Sequence, residues 1–181
     1  MGERRAVRAA AVLWCTAAVV VLVGCTPESE PTPPPLPTAT GFASDAEAFA
    51  AAEATYRAYV DALNDVDLAI PSTFDPVYQM LAGDALSNEA RSLRAMHDDN
   101  WIVTGDSAVV DFFDASSASD LIAIGCLDVR GVKLVDAEGR SQVSSERPSV
   151  YAMQLKFSQA TNVTGLRITE STAVEDPRCS P

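Results

Sequence analysis

The sequence predicts an α+β domain in which N-terminal helices pack on a curved antiparallel β-sheet. Two observations point there. Between residues 45 and 100 apolar residues recur at helical spacing, and after Trp101 their period falls from 3.6 to 2. Helices and strands that segregate along the chain, rather than alternate, favour helices on one side of an antiparallel sheet. A third observation sets the limits: a basic, apolar N-terminus and then a proline-rich stretch precede residue 44. One domain over 44–181 follows, with ample Leu, Ile, Val and Phe for a core in a chain that is 48% hydrophobic.

Ser44-Asp45-Ala46-Glu47 has the spacing of a capping box, and Phe49, Tyr56, Val60 and Leu63 follow on one face, predicting a helix over 45–64. Asp75-Pro76 supplies an N-cap and a first-turn proline for a second helix that runs through Val77, Met80 and Leu81 to a break near Gly83. Leu86, Ala90, Leu93 and Met96 outline a third helix ending near Asn100. Strand-like runs occupy 101–104, 107–114, 121–135, 149–158 and 165–173, with turns at Gly105-Asp106 and Glu138-Gly139. In the fourth run Tyr151, Met153, Leu155 and Phe157 alternate with Val150, Ala152, Gln154 and Lys156, so one face is expected to be apolar and the other more polar. There is no internal repeat.

Residues 1–24 have the parts of an export signal: basic Arg4, Arg5 and Arg8, an apolar stretch from about Ala9 to Val23, and small residues at its end. That stretch is short for a membrane span. Leu22-Val23-Gly24-Cys25 matches the bacterial lipobox, so cleavage before Cys25 and lipidation of its thiol are expected, placing the chain on the extracytoplasmic face of the cell membrane. An uncleaved anchor with an incidental cysteine is the plainer reading. The polar, proline-rich segment 26–40 argues against it, since such a segment stays extended, at about 3 Å per residue where it is polyproline-like. Residues 25–43 therefore read as a lipidated cysteine and a disordered linker, whose threonines could carry sugars. With Cys15 removed and Cys25 lipidated, Cys126 and Cys179 remain in an oxidising compartment and are expected to pair; two unpaired buried thiols are the alternative.

The charge narrows the partners. The segment ahead of Cys25 carries three arginines against Glu3, so a net charge of −12 becomes −14 on its removal. No basic stripe interrupts this acidity, which speaks against nucleic acid as a partner. Anionic headgroups would repel it too, so membrane contact needs the Cys25 anchor. Lysine occurs only at Lys133 and Lys156 while Arg and Ala abound, a composition that hints at a GC-rich genome.

The stretch Ala-Glu-Ala-Thr-Tyr-Arg-Ala-Tyr-Val-Asp-Ala-Leu-Asn at 52–64, Met96-His97 ahead of Trp101 and Val103, Cys126-Leu-Asp-Val129, and Asp176-Pro-Arg-Cys179 resemble a group of lipoproteins of high-GC Gram-positive bacteria. These are similar in turn to the nuclear-transport-factor-two-like, or cone-shaped, superfamily. The resemblance covers about 45–179 and implies a cone whose sheet and helices enclose an apolar pocket. In that superfamily such a pocket catalyses, binds a ligand or only supports assembly, and fold alone does not choose among these.

Candidate chemistry is sparse. His97, the one histidine, sits near a helix C-terminus beside Asp98 and Asp99, where the helix dipole and the carboxylates suit it structurally. An isomerase or dehydratase of the cone type would set an Asp against a Tyr in an apolar pocket, and Tyr56 or Tyr59 with Asp111 or Asp128 could be posed so. Tyrosines on an apolar helix face are more often core. Asp98, Asp99, Asp111, Asp114 and Asp120 offer oxygen ligands without the ordered spacing of a calcium loop, so no metal site and no cofactor are expected. Asn162-Val163-Thr164 is a sequon of little weight in a bacterial chain. The expectation is a non-catalytic domain that binds a small apolar ligand or an envelope protein, with Tyr56, Tyr59, His97 and Trp101 as candidate pocket residues. The pocket enzyme and a structural homodimer are the alternatives.

Overall fold

Ser44 caps the first helix, α1 (Asp45–Asn64), its hydroxyl accepting the Glu47 amide at 3.2 Å. The reciprocal arm of the capping box reaches one residue further back than expected: Glu47 accepts from the amide of Ala43 at 2.7 Å. Ala48, Ala52, Tyr56 and Val60 are spaced by fours and form the buried stripe of this helix. The computed structural model describes residues 41–180, and the lipobox, Cys25 and most of the linker lie outside them.

The second helix is shorter than its pattern suggests. A 3-10 turn over Pro71–Phe74 feeds α2 (Asp75–Gln79), in which Asp75 opens the first turn without making a capping bond. Helical spacing of Val77, Met80 and Leu81 suggested a longer element. Residues 80–82 instead leave the helix and lie along the last strand, with the Ala82 amide donating to Ile168 O at 2.8 Å and the Ile168 amide to Met80 O at 2.9 Å. The helix stops because a sheet edge offers its backbone better partners.

Helix α3 (Gly83–Asp98) ends in a Schellman motif. Asn100 takes a left-handed φ of 56°, the Trp101 amide donates to Met96 O at 2.9 Å, and the Asn100 amide to His97 O at 3.0 Å.

Six strands follow: β1 (Ile102–Thr104), β2 (Ala108–Asp114), β3 (Ile122–Asp128), β4 (Lys133–Val135), β5 (Val150–Gln159) and β6 (Leu166–Val174). A curved four-stranded antiparallel sheet runs β2-β3-β5-β6, and β1 pairs with β4 in a separate ribbon. Bulges between Val109 and Asp111 and between Lys156 and Phe157 bend it. The single run expected over 121–135 is thus two strands in two sheets. At the end of β3 the Asp128 carboxylate accepts the Arg130 amide at 2.9 Å and pairs with its guanidinium, and the Val132 amide closes the turn on Val129 O at 3.0 Å. Side-chain capping by an aspartate breaks the strand without breaking the apolar run.

Three helices pack on one face of the sheet around Tyr56, Val60, Val77, Leu155, Leu166 and Ile168. Tyr56 is 1% exposed, and its ring lies on the backbone of Gly125 in β3; a Cβ there would fall 2.9 Å from Cδ1 and closer still to Cε1. The outer face of the sheet is not simply polar, because Ala152 is only 6% exposed. It packs with Ile124 and Cys126 beneath the C-terminal 3-10 turn Pro177–Cys179, which a disulfide between Cys126 and Cys179 holds down. Arg178 adds a cation over the Phe113 ring, 4.5 Å from its centroid, and its guanidinium holds the Asp176 carboxyl down to about 2.

Candidate functional site

The C-terminal end of α1, helix α3, the β1–β4 ribbon and the chain leading to β5 enclose a partly open cavity of about 220 Å³. Leu63, Val66, Leu93, Met96, Val103 and Leu134 supply apolar wall, while Glu89 and Arg147 are its ionisable residues.

Local contacts fix this wall. The Asn64 side chain, at the end of α1, brackets Ser107 by donating to its carbonyl and accepting its amide, each at 2.9 Å, which sets where β2 begins. Gly105, at φ +80°, brings the β1–β2 turn against the β3–β4 turn, where any Cβ would overlap the Gly131 carbonyl. After β4, Asp136 gathers the chain into a knot: its carboxylate accepts the Arg140 amide at 2.8 Å, Arg140 Nε at 2.7 Å and Gln142 Nε2 at 3.0 Å. Just beyond, Val143 reaches the cavity, and Arg147 donates through Nη2 to the carbonyls of Val129 and Val132 at 2.9 and 3.0 Å.

Glu89 is the unusual member. It sits on α3, half-buried, with Oε2 accepting the Tyr59 hydroxyl at 3.1 Å. Removal from water raises its carboxyl above the ordinary range, and the Tyr59 hydrogen bond pulls back only part of that. Tyr59 is raised well above its ordinary value, first by burial and then by the Glu89 charge.

The residues singled out in the sequence are dispersed. Tyr59 reaches the cavity through Glu89, whereas Tyr56 is sealed in the core against Phe112, ring centroids 6.0 Å apart. His97 contacts Leu68 O through Nδ1 at 2.7 Å and stands edge-on to Phe74 at 6.4 Å, so its partners are a carbonyl and a ring rather than the neighbouring carboxylates. Trp101 is half-buried against the main core and outside the cavity wall. Asp111 lies exposed on β2, and Asp128 is engaged by Arg130. Of the other aspartates, Asp98, Asp99 and Asp114 are exposed and Asp120 pairs with Lys156 at 2.9 Å; among the described residues no three His, Cys, Asp or Glu side chains converge as a metal site. Asn162 turns its amide inward to Leu166 O at 2.8 Å, and Thr164 accepts the buried Thr55 hydroxyl at 2.9 Å, so these sequon residues tie the β5–β6 hairpin to α1.

Sequence reasoning passed over Glu89. Its signal was present: Glu89 stands three residues after Leu86 and four before Leu93, a charge on the apolar stripe of α3.

No family model and no curated protein matches the chain. Two solved structures are similar to it. VirB8 of Agrobacterium tumefaciens shares 13% identity, covers 75% of this chain and 97% of its own, and gives a TM-score of 0.47. An IcmL-like type IV secretion system protein of Legionella pneumophila shares 14% identity over 76% of this chain and 98% of its own, with a TM-score of 0.45.

A wider and more open depression of about 450 Å³ lies on the outer face beside the disulfide, lined in part by Val150, Ala152, Val174 and Asp176. The carboxylate of Asp176 is committed to Arg178 at 2.7 Å. Among the described residues no helix is long and apolar enough to cross a membrane.

Proposed function

We propose that this chain is an extracytoplasmic lipoprotein, cut before Cys25 and anchored through it, whose 44–181 domain is of the cone type and holds a small apolar ligand without transforming it. The observation that carries the binding half is the Glu89 carboxyl, bonded to Tyr59 inside an apolar cavity. Apolar walls with one or two placed polar groups are the usual make-up of a ligand site. At about 220 Å³ the cavity falls below the roughly 300–1,000 Å³ of drug-sized sites, so the ligand is compact.

Binding is preferred to catalysis because the hydroxyl nearest the carboxyl is already committed: Tyr59 spends its proton on Glu89. Beyond Tyr59 no side chain among the described residues bonds Glu89, so no third group orients the pair as an acid–base constellation requires. The Glu89–Tyr59 pair does favour one second reading, a proton-transfer enzyme in which the raised Glu89 carboxyl is the base.

Native mass spectrometry of the processed protein, extracted from its own membrane, tests both halves. A lipid mass on Cys25, and a stoichiometric further mass that disappears in a cavity-filling Leu93→Trp variant, are expected. Absence of the lipid mass, or an intact segment 1–24 on the native chain, would overturn the anchor, and a further mass indifferent to Leu93→Trp would overturn the cavity as the ligand site.

A further inference from the structure

The cavity also limits the chemistry of what it holds. Two of its polar side chains are engaged with backbone: the Asn64 amide with Ser107, and Arg147 Nη2 with Val129 and Val132. Glu89 is different. Tyr59 satisfies Oε2, Oε1 has no donor among the described residues, and no described Lys or Arg forms an ion pair with this carboxylate. The site is therefore a largely apolar hollow whose carboxylate is in no ion pair among the described residues, with Arg147 the one cation in its lining.

A hydrocarbon entering it would strip water from Oε1 and return nothing, which makes the buried charge costlier. An alcohol would satisfy the oxygen and leave the charge. An ammonium group satisfies both, and charge-assisted hydrogen bonds are roughly twice as strong as neutral ones. Resting on the ligand-binding reading above, we infer that the cavity takes a compact apolar amine in its protonated form, the ammonium on Glu89 and the hydrocarbon body against Leu63, Val66, Leu93 and Met96. The acidic chain, at −12 overall, also draws cations toward its surface.

Three other groups face Glu89 or share its wall. Tyr59 on α1 donates to it, Tyr78 on α2 senses its charge, and Arg147 on the chain before β5 carries the one opposing positive charge in the lining. Protonating Glu89 removes the counter-ion the amine needs, so amine affinity falls as the pH drops through the raised Glu89 range. Alcohol affinity does not.

Cyclohexylamine and cyclohexanol, titrated into the full chain in lipid nanodiscs and followed by amide shifts, separate the possibilities. At neutral pH the amine is expected to bind about tenfold more tightly than the alcohol, an advantage that Glu89→Gln abolishes. Equal binding of the two overturns the amine assignment and leaves the ligand-binding reading standing. An amine preference that survives Glu89→Gln also overturns it, because the acidic surface would then be the source. Binding of neither probe brings down both readings.

Discussion

The hydroxyl of Tyr59 on α1 donates to the Glu89 carboxylate on α3 at 3.1 Å, so a polar contact joins the two helices at the cavity wall. The contact links three levels of the molecule. A charge on an apolar stripe places a carboxyl inward, burial raises its proton affinity, and the tyrosine fixes one of its oxygens.

Glu89→Gln should raise stability at neutral pH, and the sign follows from the raised Glu89 carboxyl. A group whose folded pKa exceeds its unfolded value contributes stability that is complete below the unfolded value, 4.5 here, and is lost as pH rises through the folded one. Glu89→Gln keeps an acceptor for Tyr59 and removes the titration. Urea melts should find E89Q more stable than the parent at pH 7.5, with the gap closing by pH 4. A gap that is absent or unchanged on acidification contradicts the desolvated-carboxylate account.

Gly125→Ala tests the contact between β3 and α1. The added methyl would meet the Tyr56 ring, and that ring is wedged against Phe112 and Tyr59 with little room to shift. Overpacking of this kind costs about 1–3 kcal/mol. Chemical denaturation should show that loss, and Tyr56→Leu should cost less in the Gly125→Ala background than alone. Additive effects would mean that glycine and ring do not constrain one another.

How legible the molecule is in its sequence varies with the kind of interaction. Helix α1 can be read because cap, stripe and length agree: Ser44, then Ala48, Ala52, Tyr56 and Val60. Strand β5 can be read because part of its alternation survives: Leu155 and Phe157 are buried while Gln154 and Ser158 stay exposed. Helix α2 ends early for a non-local reason, a sheet edge more than eighty residues away in sequence that binds Met80 and Ala82. The split between β3 and β4 turns on Asp128 capping Arg130, which apolar periodicity does not register. For the site, the pairing of Tyr59 with Glu89 spans 30 residues, and only the misplaced charge on the α3 stripe hinted at it.

Asp136 should govern the order of the chain that carries Val143 to the cavity. Hydrogen bonding from Arg140 holds its carboxyl below the ordinary aspartate range, so the stability it contributes is present above the unfolded value and is lost as pH falls through the lowered one. Asp136→Ala removes the acceptor for two amides and two side chains. Hydrogen exchange at Glu138 and Arg140 should quicken markedly while the strands of the main sheet stay protected. Unchanged exchange at those amides would show that the knot closes without the carboxylate.

The Cys126–Cys179 disulfide closes a loop with a sequence separation of 53 and pins the C-terminal turn over Ile124 and Ala152. On the chain-entropy model, closing such a loop stabilises the fold by about 4 kcal/mol, at the upper end of the usual range. Reduction, or the double substitution Cys126→Ala with Cys179→Ala, should lower the unfolding free energy by about 2–4 kcal/mol. It should also let the turn lift, freeing Arg178 from the Phe113 ring and exposing the small outer cluster to a hydrophobic dye. Sheet and helices should persist, because Tyr56, Leu155 and Ile168 pack on the opposite face, out of reach of the tail. Thiol counting on unreduced mature protein is the direct check: no free thiol from this pair is expected, and two would remove the bond from the account.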